Sequence, residues 1–401
     1  MTSLSPRRTW AALLALALGG FGIGSTEFVV MGLLPDITAD LLPALDAADH
    51  DAAIAQTGYL IAAYALGVVV GAPTIAALAA RFPRKQLLLV LMAALTAGTV
   101  ASALLPTFEL VLVARFVSGL PHGAYFGIAT LVAAHLMGEG KKGRGVAFVL
   151  SGLTIANVIG VPLITYLGQA TDWRVAYLAV SAIFAATFFS ILLFVPLQPG
   201  DEAATFRREL TVFRRPQVWL ALLIGSIGFG GFFAVYSYVS EVVTRVTLLD
   251  AGFVPFALVC IGLGMTVGNL AGGRASDRSI IGTIFVCFGL FALSLLLFAL
   301  TAQSVVGLLG SLFLVGFSAA AISPAVQMRL MSVAGEGQSL AAALNHSALN
   351  IGNSLGAYLG GITIAAGLGY LSPTWVGLAL LVPGTILAVI SWRMPRLKAT
   401  V

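Results

Sequence analysis

Glu27 stands alone in an apolar run: between Arg8 and Asp36 there is no other charged residue. An ionised carboxylate in such surroundings is costly, so it must be paired or protonated. That is the chemistry of a group that carries a proton or holds a cation. The structural alternative is an acid tied to a neighbouring helix. Arg115 stands in a similar apolar run, and Arg115, Gly119 and His122 are spaced i, i+4 and i+7, which puts all three on one helix face. Arg115 can serve proton coupling or a fixed ion pair. His122 is a candidate for titration near neutral pH, or for hydrogen-bonded packing. Tyr125 follows three residues later and joins the same candidate set.

Two further polar sets lie in the second half of the chain. Asn345, His346, Asn350 and Asn353 occur together, the last three at i, i+4 and i+7. Phe229, Phe232, Phe233, Tyr236 and Tyr238 are interleaved with Gly225, Gly228, Gly230 and Gly231. Phe233, Tyr236 and the four residues of the first set are candidates to line a cavity for an aromatic or amphipathic substrate, together with Glu27, His122 and Tyr125. Packing against lipid or neighbouring helices is the alternative. Glu241 and Arg245, four residues apart, read as a surface pair. No Gly-x-x-x-x-Gly-Lys-Ser/Thr run is present, so ATP is not the evident energy source. No His, Cys and Asp grouping has metal-site spacing, and no serine-nucleophile elbow occurs. Neither an enzyme nor a cofactor is expected.

The elements that must position these residues follow from composition. Of 401 residues, 59% are hydrophobic and 9% charged, with a mean hydropathy of +1.02. A soluble domain carries roughly 25% charged residues to cover its surface, so lipid has to be the solvent here. A spanning helix needs about 20 apolar residues. Runs of that order lie near 10–34, 56–80, 86–106, 110–136, 145–168 and 174–196, and again near 217–241, 253–275, 281–302, 304–332, 339–366 and 373–394. The first is too long for a signal peptide and reads as a retained helix. Basic residues cluster in alternate connections, at Arg81, Arg84 and Lys85, at Lys141, Lys142 and Arg144, and at Arg207, Arg208, Arg214 and Arg215. The segment 35–56 instead holds Asp36, Asp40, Asp46, Asp49 and Asp51 and no Lys or Arg. This alternation places both termini in the cytoplasm and makes the helix count even. It also accounts for a net charge of +5 without a nucleic-acid partner. By counting 1.5 Å per residue from the membrane edges, Glu27 and Arg115 both fall roughly 8–12 Å from the outer surface, where a carboxylate and a guanidinium could meet.

The two sets of six repeat. Gly67, Gly71 and Gly119 recur as Gly264, Gly268 and Gly316, each 197 residues on, and Gly138-Glu139-Gly140 recurs as Gly335-Glu336-Gly337 at the same interval. Asn157-x-x-Gly160 recurs as Asn353-x-x-Gly356. The expected organisation is an N-terminal six-helix bundle over residues 1–197, a cytoplasmic linker over 198–216 and a C-terminal bundle over 217–401. Parallel repeats of this kind place a substrate cavity between the halves at the midplane.

Several motifs carry a family resemblance. They are Ser25-Thr26-Glu27-Phe28 with Met31-Gly32-Leu33-Leu34-Pro35, the run Arg115-Phe-Val-Ser-Gly119-Leu-Pro-His122, Asn157-x-x-Gly160-Val161-Pro162, and Trp173-Arg174. With these the chain resembles the major facilitator superfamily, and within it the bacterial drug:proton antiporters of the AraJ-like arabinose-efflux and chloramphenicol-exporter type. The resemblance implies an all-α membrane protein of twelve helices in two pseudo-symmetric bundles. It implies a proton or cation role for the helix 1 acid, here Glu27, and proton coupling for the helix 4 arginine, here Arg115. It also implies that Asn157, Gly160 and Pro162 form part of an antiporter motif. The loop after helix 2 departs from the family pattern: Arg81, Arg84 and Lys85 are kept, but Ala80 replaces the acid. The second half keeps Asp277-Arg278 at the corresponding place. In the family this loop latches the halves together, so the first half lacks the charged part of that latch.

The function expected from these readings is proton-coupled efflux of small, fairly apolar compounds, phenicol-like drugs among them, across the bacterial cytoplasmic membrane. The partners are then a small-molecule substrate, protons and the bilayer, with the chain acting as a monomer. The alternatives are facilitated transport or efflux of a sugar or nucleoside, proton symport on the same fold, and a receptor that binds without transporting.

Overall fold

In lipid no water is available to the backbone, so each spanning segment must satisfy its own N–H and C=O groups as a helix. The computed structural model describes residues 5–79, 81–138, 140–200, 210–334 and 338–394, and helices account for almost all of them. The first half contributes α1 (Pro6–Gly32), α2 (Tyr59–Ala79), α3 (Arg84–Leu104), α4 (Phe108–Met137), α5 (Lys142–Ala170) and α6 (Trp173–Phe194). The second contributes α7 (Pro216–Val246), α8 (Ala251–Arg278), α9 (Ile280–Thr301), α10 (Val305–Ala334), α11 (Gln338–Ala365) and α12 (Ser372–Arg393). Eleven of these are long and apolar enough to cross a membrane, and α11, with 28 residues, is the twelfth long helix. Boundaries follow local chemistry. Thr107 and Asp172 cap α4 and α6 by accepting from the Leu110 and Arg174 amides, and α4 stops at Gly138, whose φ of +73° suits glycine.

The repeat seen in sequence is a repeat of contacts. A Cβ on Gly67 would stand 2.1 Å from the Phe116 carbonyl oxygen, and one on Gly264 would stand 2.1 Å from that of Phe313. The next turn repeats the arrangement, with Gly71 on Leu120 and Gly268 on Phe317 at 1.9 and 2.0 Å. Every partner, like every glycine, is shifted by 197 residues. Each half therefore presses α2 on α4, or α8 on α10, backbone to backbone, a contact open only to residues without a side chain. Of the repeated Gly-Glu-Gly loops, Glu139 and residues 335–337 lie outside the described residues, as do Ala80 and residues 201–209 of the linker.

Three short helices, Leu34–Leu41, Pro43–Ala48 and His50–Thr57, carry the Asp-rich connection between α1 and α2. The end of the bundle they cover is called the acid end below, and the opposite end, with Arg84, Lys142 and Arg215, the basic end. Trp173-Arg174 anchors this cap. Trp173 Nε1 and Arg174 Nη2 donate to Asp40 Oδ2 at 3.0 and 2.8 Å, and Arg174 Nη1 donates to the Ala103 and Leu105 carbonyls. The halves meet along α2 and α11, α5 and α8, and α1 and α7.

Candidate functional site

Where α1 faces α7 and α11, the sequence puts its lone acid. Glu27 is 6% exposed, and its Oε1 accepts from Asn353 Nδ2 of α11 at 3.4 Å, a hydrogen bond between the halves. The next residue, Phe28, stacks on Phe233 and lies tilted against Tyr236 of α7, with ring centroids 6.4 and 5.5 Å apart. Phe232 packs on both, so the acid lies beside an aromatic cluster contributed by both halves.

Arg115 lies against the preceding residue of α1. Its Nη1 donates to the Thr26 carbonyl at 3.2 Å and to Thr26 Oγ1 at 3.3 Å. The guanidinium carbon sits 4.2 Å from the Tyr64 ring centroid and 5.5 Å from that of Tyr177, so ring faces cover the charge. Nε and Nη2 have no hydrogen-bond partner among the described residues. Glu27 and Arg115, which depth alone would let meet, do not form an ion pair. Thr26, adjacent to the acid in sequence, takes the guanidinium instead, and aromatic rings complete its shell.

His122 is buried two turns further along the same face of α4. Its ring lies 5.7 Å from Tyr64, 5.7 Å from Phe126 and 6.4 Å from His346 of α11, and Phe126 and His346 stack at 5.0 Å with planes 1° apart. The structure thus brings Glu27, His122, Phe233, Tyr236, His346 and Asn353 to the interface between halves, with Arg115 held beside Thr26 inside the first half. Asn350 Nδ2 donates to the His346 carbonyl of its own helix, and Asn345 Oδ1 has no partner among the described residues. Tyr125 is placed apart: its hydroxyl donates to the Leu16 carbonyl at 2.7 Å beneath Gly19, binding α4 to α1.

Asn157 and Gly160 fall in a π-helical turn, Ala156–Gly160, after which Pro162 restarts α5. The wider turn pushes the Asn157 carbonyl against α8, 2.3 Å from where a Cβ on Gly262 would stand. At the basic end, Arg81 lies over Phe82, the Arg84 amide donates to the Gln198 carbonyl at the start of the linker, and Lys85 Nζ donates to the Leu192 carbonyl of the first half. Asp277 and Arg278 are exposed at the end of α8. Among the described residues none of these five is bonded to the opposite half.

With the fold and interface in view, the relatives can be compared. The sequence profile of the Major Facilitator Superfamily matches residues 16–278. The chain belongs to the Major Facilitator Superfamily. It is 39% identical to "Inner membrane transport protein YdhP" of Escherichia coli (strain K12), over 89% of this chain and 90% of that protein. It is 34% identical to "Putative transporter AraJ" of the same strain over 89% of each chain. To "Chloramphenicol resistance protein" of Streptomyces lividans it is 31% identical over 96% of this chain and 98% of the relative. The solved D-xylose-proton symporter superposes with a TM-score of 0.74 at 15% identity over 97% and 98% of the two chains, which is a likeness of fold. The chain is accordingly a membrane-embedded transporter for a small molecule and not an enzyme.

Some residues of this superfamily interface escape a reading of sequence. Tyr64 and Tyr177 were hidden among apolar neighbours, and only their polar tips in a lipid-facing composition mark them. Glu241 corrects the surface-pair reading. It is 1% exposed, and its Oε2 meets Arg245 Nε at 3.3 Å and His50 Nε2, from the other half, at 3.4 Å. Spacing along one helix cannot reveal a partner 191 residues away.

Proposed function

We propose that this transporter exports small, fairly apolar compounds, phenicol-like drugs among them, in exchange for protons. It would work in the bacterial cytoplasmic membrane with both termini and the basic end inside. The supporting observation is the placement of Glu27. It is the one acid of α1, it is buried, and its hydrogen bond to Asn353 crosses between the halves. A group so placed senses both the proton and the relative position of the halves. A protonated carboxyl can stay in the apolar interface without a counter-charge. An ionised one needs Asn353, the positive charge of Arg115 one residue away, or a cationic or polar substrate. Proton and substrate then compete for Glu27, and competition for a shared site is enough to couple two opposed fluxes. The aromatic faces of Phe28, Phe233 and Tyr236, with Phe126 and the two histidines, offer a wall for an apolar ring system. The name of the Streptomyces relative points the same way.

Transport by inside-out vesicles under imposed pH gradients tests the direction of coupling. Accumulation of a phenicol driven by an acidic lumen supports antiport. Accumulation driven by an alkaline lumen indicates symport, and indifference to the gradient indicates a facilitator. Absence of counterflow in proteoliposomes would mark a receptor.

A further inference from the structure

At the acid end a second titratable cluster joins the halves, apart from Glu27. His50, at the start of the short helix His50–Thr57, points one ring nitrogen at each of two carboxylates. Nδ1 lies 2.6 Å from Asp46 Oδ1 of its own half, and Nε2 lies 3.4 Å from Glu241 Oε2 of α7. The same Glu241 oxygen accepts from Arg245 Nε. An ionised carboxylate oxygen can only accept, and a neutral imidazole has a single N–H. Facing two carboxylates, neutral His50 must turn a lone pair on one of them. The arrangement therefore calls for one more proton, carried by the imidazole or by one of the two carboxylates.

The surroundings favour that proton. A cavity of about 510 Å³ between the halves is lined by Asp36, His50, Glu241 and Arg245, with Gln169 and Ser240. The His50 side chain is 26% exposed, so protons reach it from solvent. Facing it are Asp46 from the helix before it, Asp36 from Leu34–Leu41, and Glu241 and Arg245 from α7. On its own helix Asp49 caps the N-terminus and accepts from the Ala52 amide, while Asp51 accepts from Tyr370 of the second half. Burial, and then the Asp51 carboxylate, push the Tyr370 hydroxyl above the ordinary phenol range, so it remains a donor. Among the described residues lining the cavity, Arg245 is the one arginine or lysine beside Asp36 and Glu241, and Asp46 adds a third carboxylate at His50, so an added positive charge is drawn in.

We infer that Asp46, His50 and Glu241 form a second proton-binding site, shared between the halves and complete only while the acid end is closed. Opening that end carries Glu241 away with α7 and leaves His50 with Asp46 alone. The closed state then binds the proton more tightly than the open one, and by linkage acid must favour closure. The site sets the resting balance of the two conformations, and its operation does not depend on what Glu27 does.

The test measures conformation in purified full-length protein without substrate. Spin labels are placed on exposed positions of opposite halves at the acid end, Thr171→Cys and Ala366→Cys, in a Cys260→Ser, Cys287→Ser background. Distance distributions in lipid nanodiscs are recorded from pH 8.5 to pH 5. The closed-to-open ratio is expected to rise on acidification by at most about tenfold per pH unit, the limit for one proton. His50→Gln and Glu241→Gln should each lower the change by at least about fivefold over the whole range, and any remainder, which belongs to Glu27, should disappear when Glu27→Gln is added. If the parent does not respond, or if His50→Gln responds as the parent does, the inference fails. His50 is partly exposed, so its variant folds even if Glu241→Gln does not. A response lost in Glu27→Gln but kept in His50→Gln would assign the proton to Glu27 and also overturn it.

Discussion

Tyr64 offers the sharpest test of how a positive charge is kept inside this protein. Its ring lies 4.2 Å below the Arg115 guanidinium carbon, both side chains are 1% exposed, and its hydroxyl has no hydrogen-bond partner among the described residues. A desolvated cation–π contact is worth about 2 kcal/mol. The ring should therefore matter and the hydroxyl should not. Tyr64→Phe keeps the ring and should stay within about 0.5 kcal/mol of the parent. Tyr64→Leu loses the contact and part of its packing. To separate the two, Arg115→Met and the double variant complete a cycle, and the coupling term should come to about 2 kcal/mol. At about 2–4 °C per kcal/mol for a unit of this size, that is a difference of about 4–8 °C in melting temperature, read by thermal unfolding in detergent. A coupling below about 0.5 kcal/mol, or a Tyr64→Phe loss equal to that of Tyr64→Leu, would refute the argument that ring faces solvate Arg115.

Three further outcomes follow from the same geometry. Gly67→Leu and Gly264→Leu each force a side chain into a backbone carbonyl, at equivalent places in the two halves. Both should abolish monodisperse protein in size-exclusion chromatography, while leucine at Gly289, where a Cβ meets nothing within 4 Å, should be tolerated. Asn353→Leu removes the donor that reaches Glu27 from the opposite half, and should weaken proton-driven transport at least tenfold in vesicles while leaving the melting temperature within a few degrees. Gly262→Val meets the Asn157 carbonyl across the halves, so it should shift the spin-label distances towards the acid-end-open state without unfolding either bundle.

How far the molecule could be read in advance depended on the range of each interaction. The spanning helices and the repeat come from composition and local pattern, and glycines 197 residues apart proved to make the same backbone contact on the equivalent helix of each half. Glu27, Arg115 and His122 stood out because charge or a titratable ring in an apolar run is conspicuous without any tertiary knowledge. What they touch was not legible. Depth counting put Glu27 and Arg115 at one level, but could not tell that Thr26 and two tyrosine faces would take the guanidinium. His50 and Glu241 were missed for the same reason. Each looks ordinary within its own segment, a polar residue in an acidic connection and half of an i, i+4 pair. Only the closing of the acid end joins them.

The central claim is that Glu27 exchanges its proton for substrate. Purified protein in weakly buffered detergent, followed with a pH-sensitive dye, reports it directly when chloramphenicol or any compound that raises the melting temperature is added. The account predicts release of protons on binding, largest near the pH at which Glu27 is half protonated. It also predicts that Glu27→Gln abolishes the release while the compound still shifts the melting temperature. Undiminished release from Glu27→Gln would contradict it.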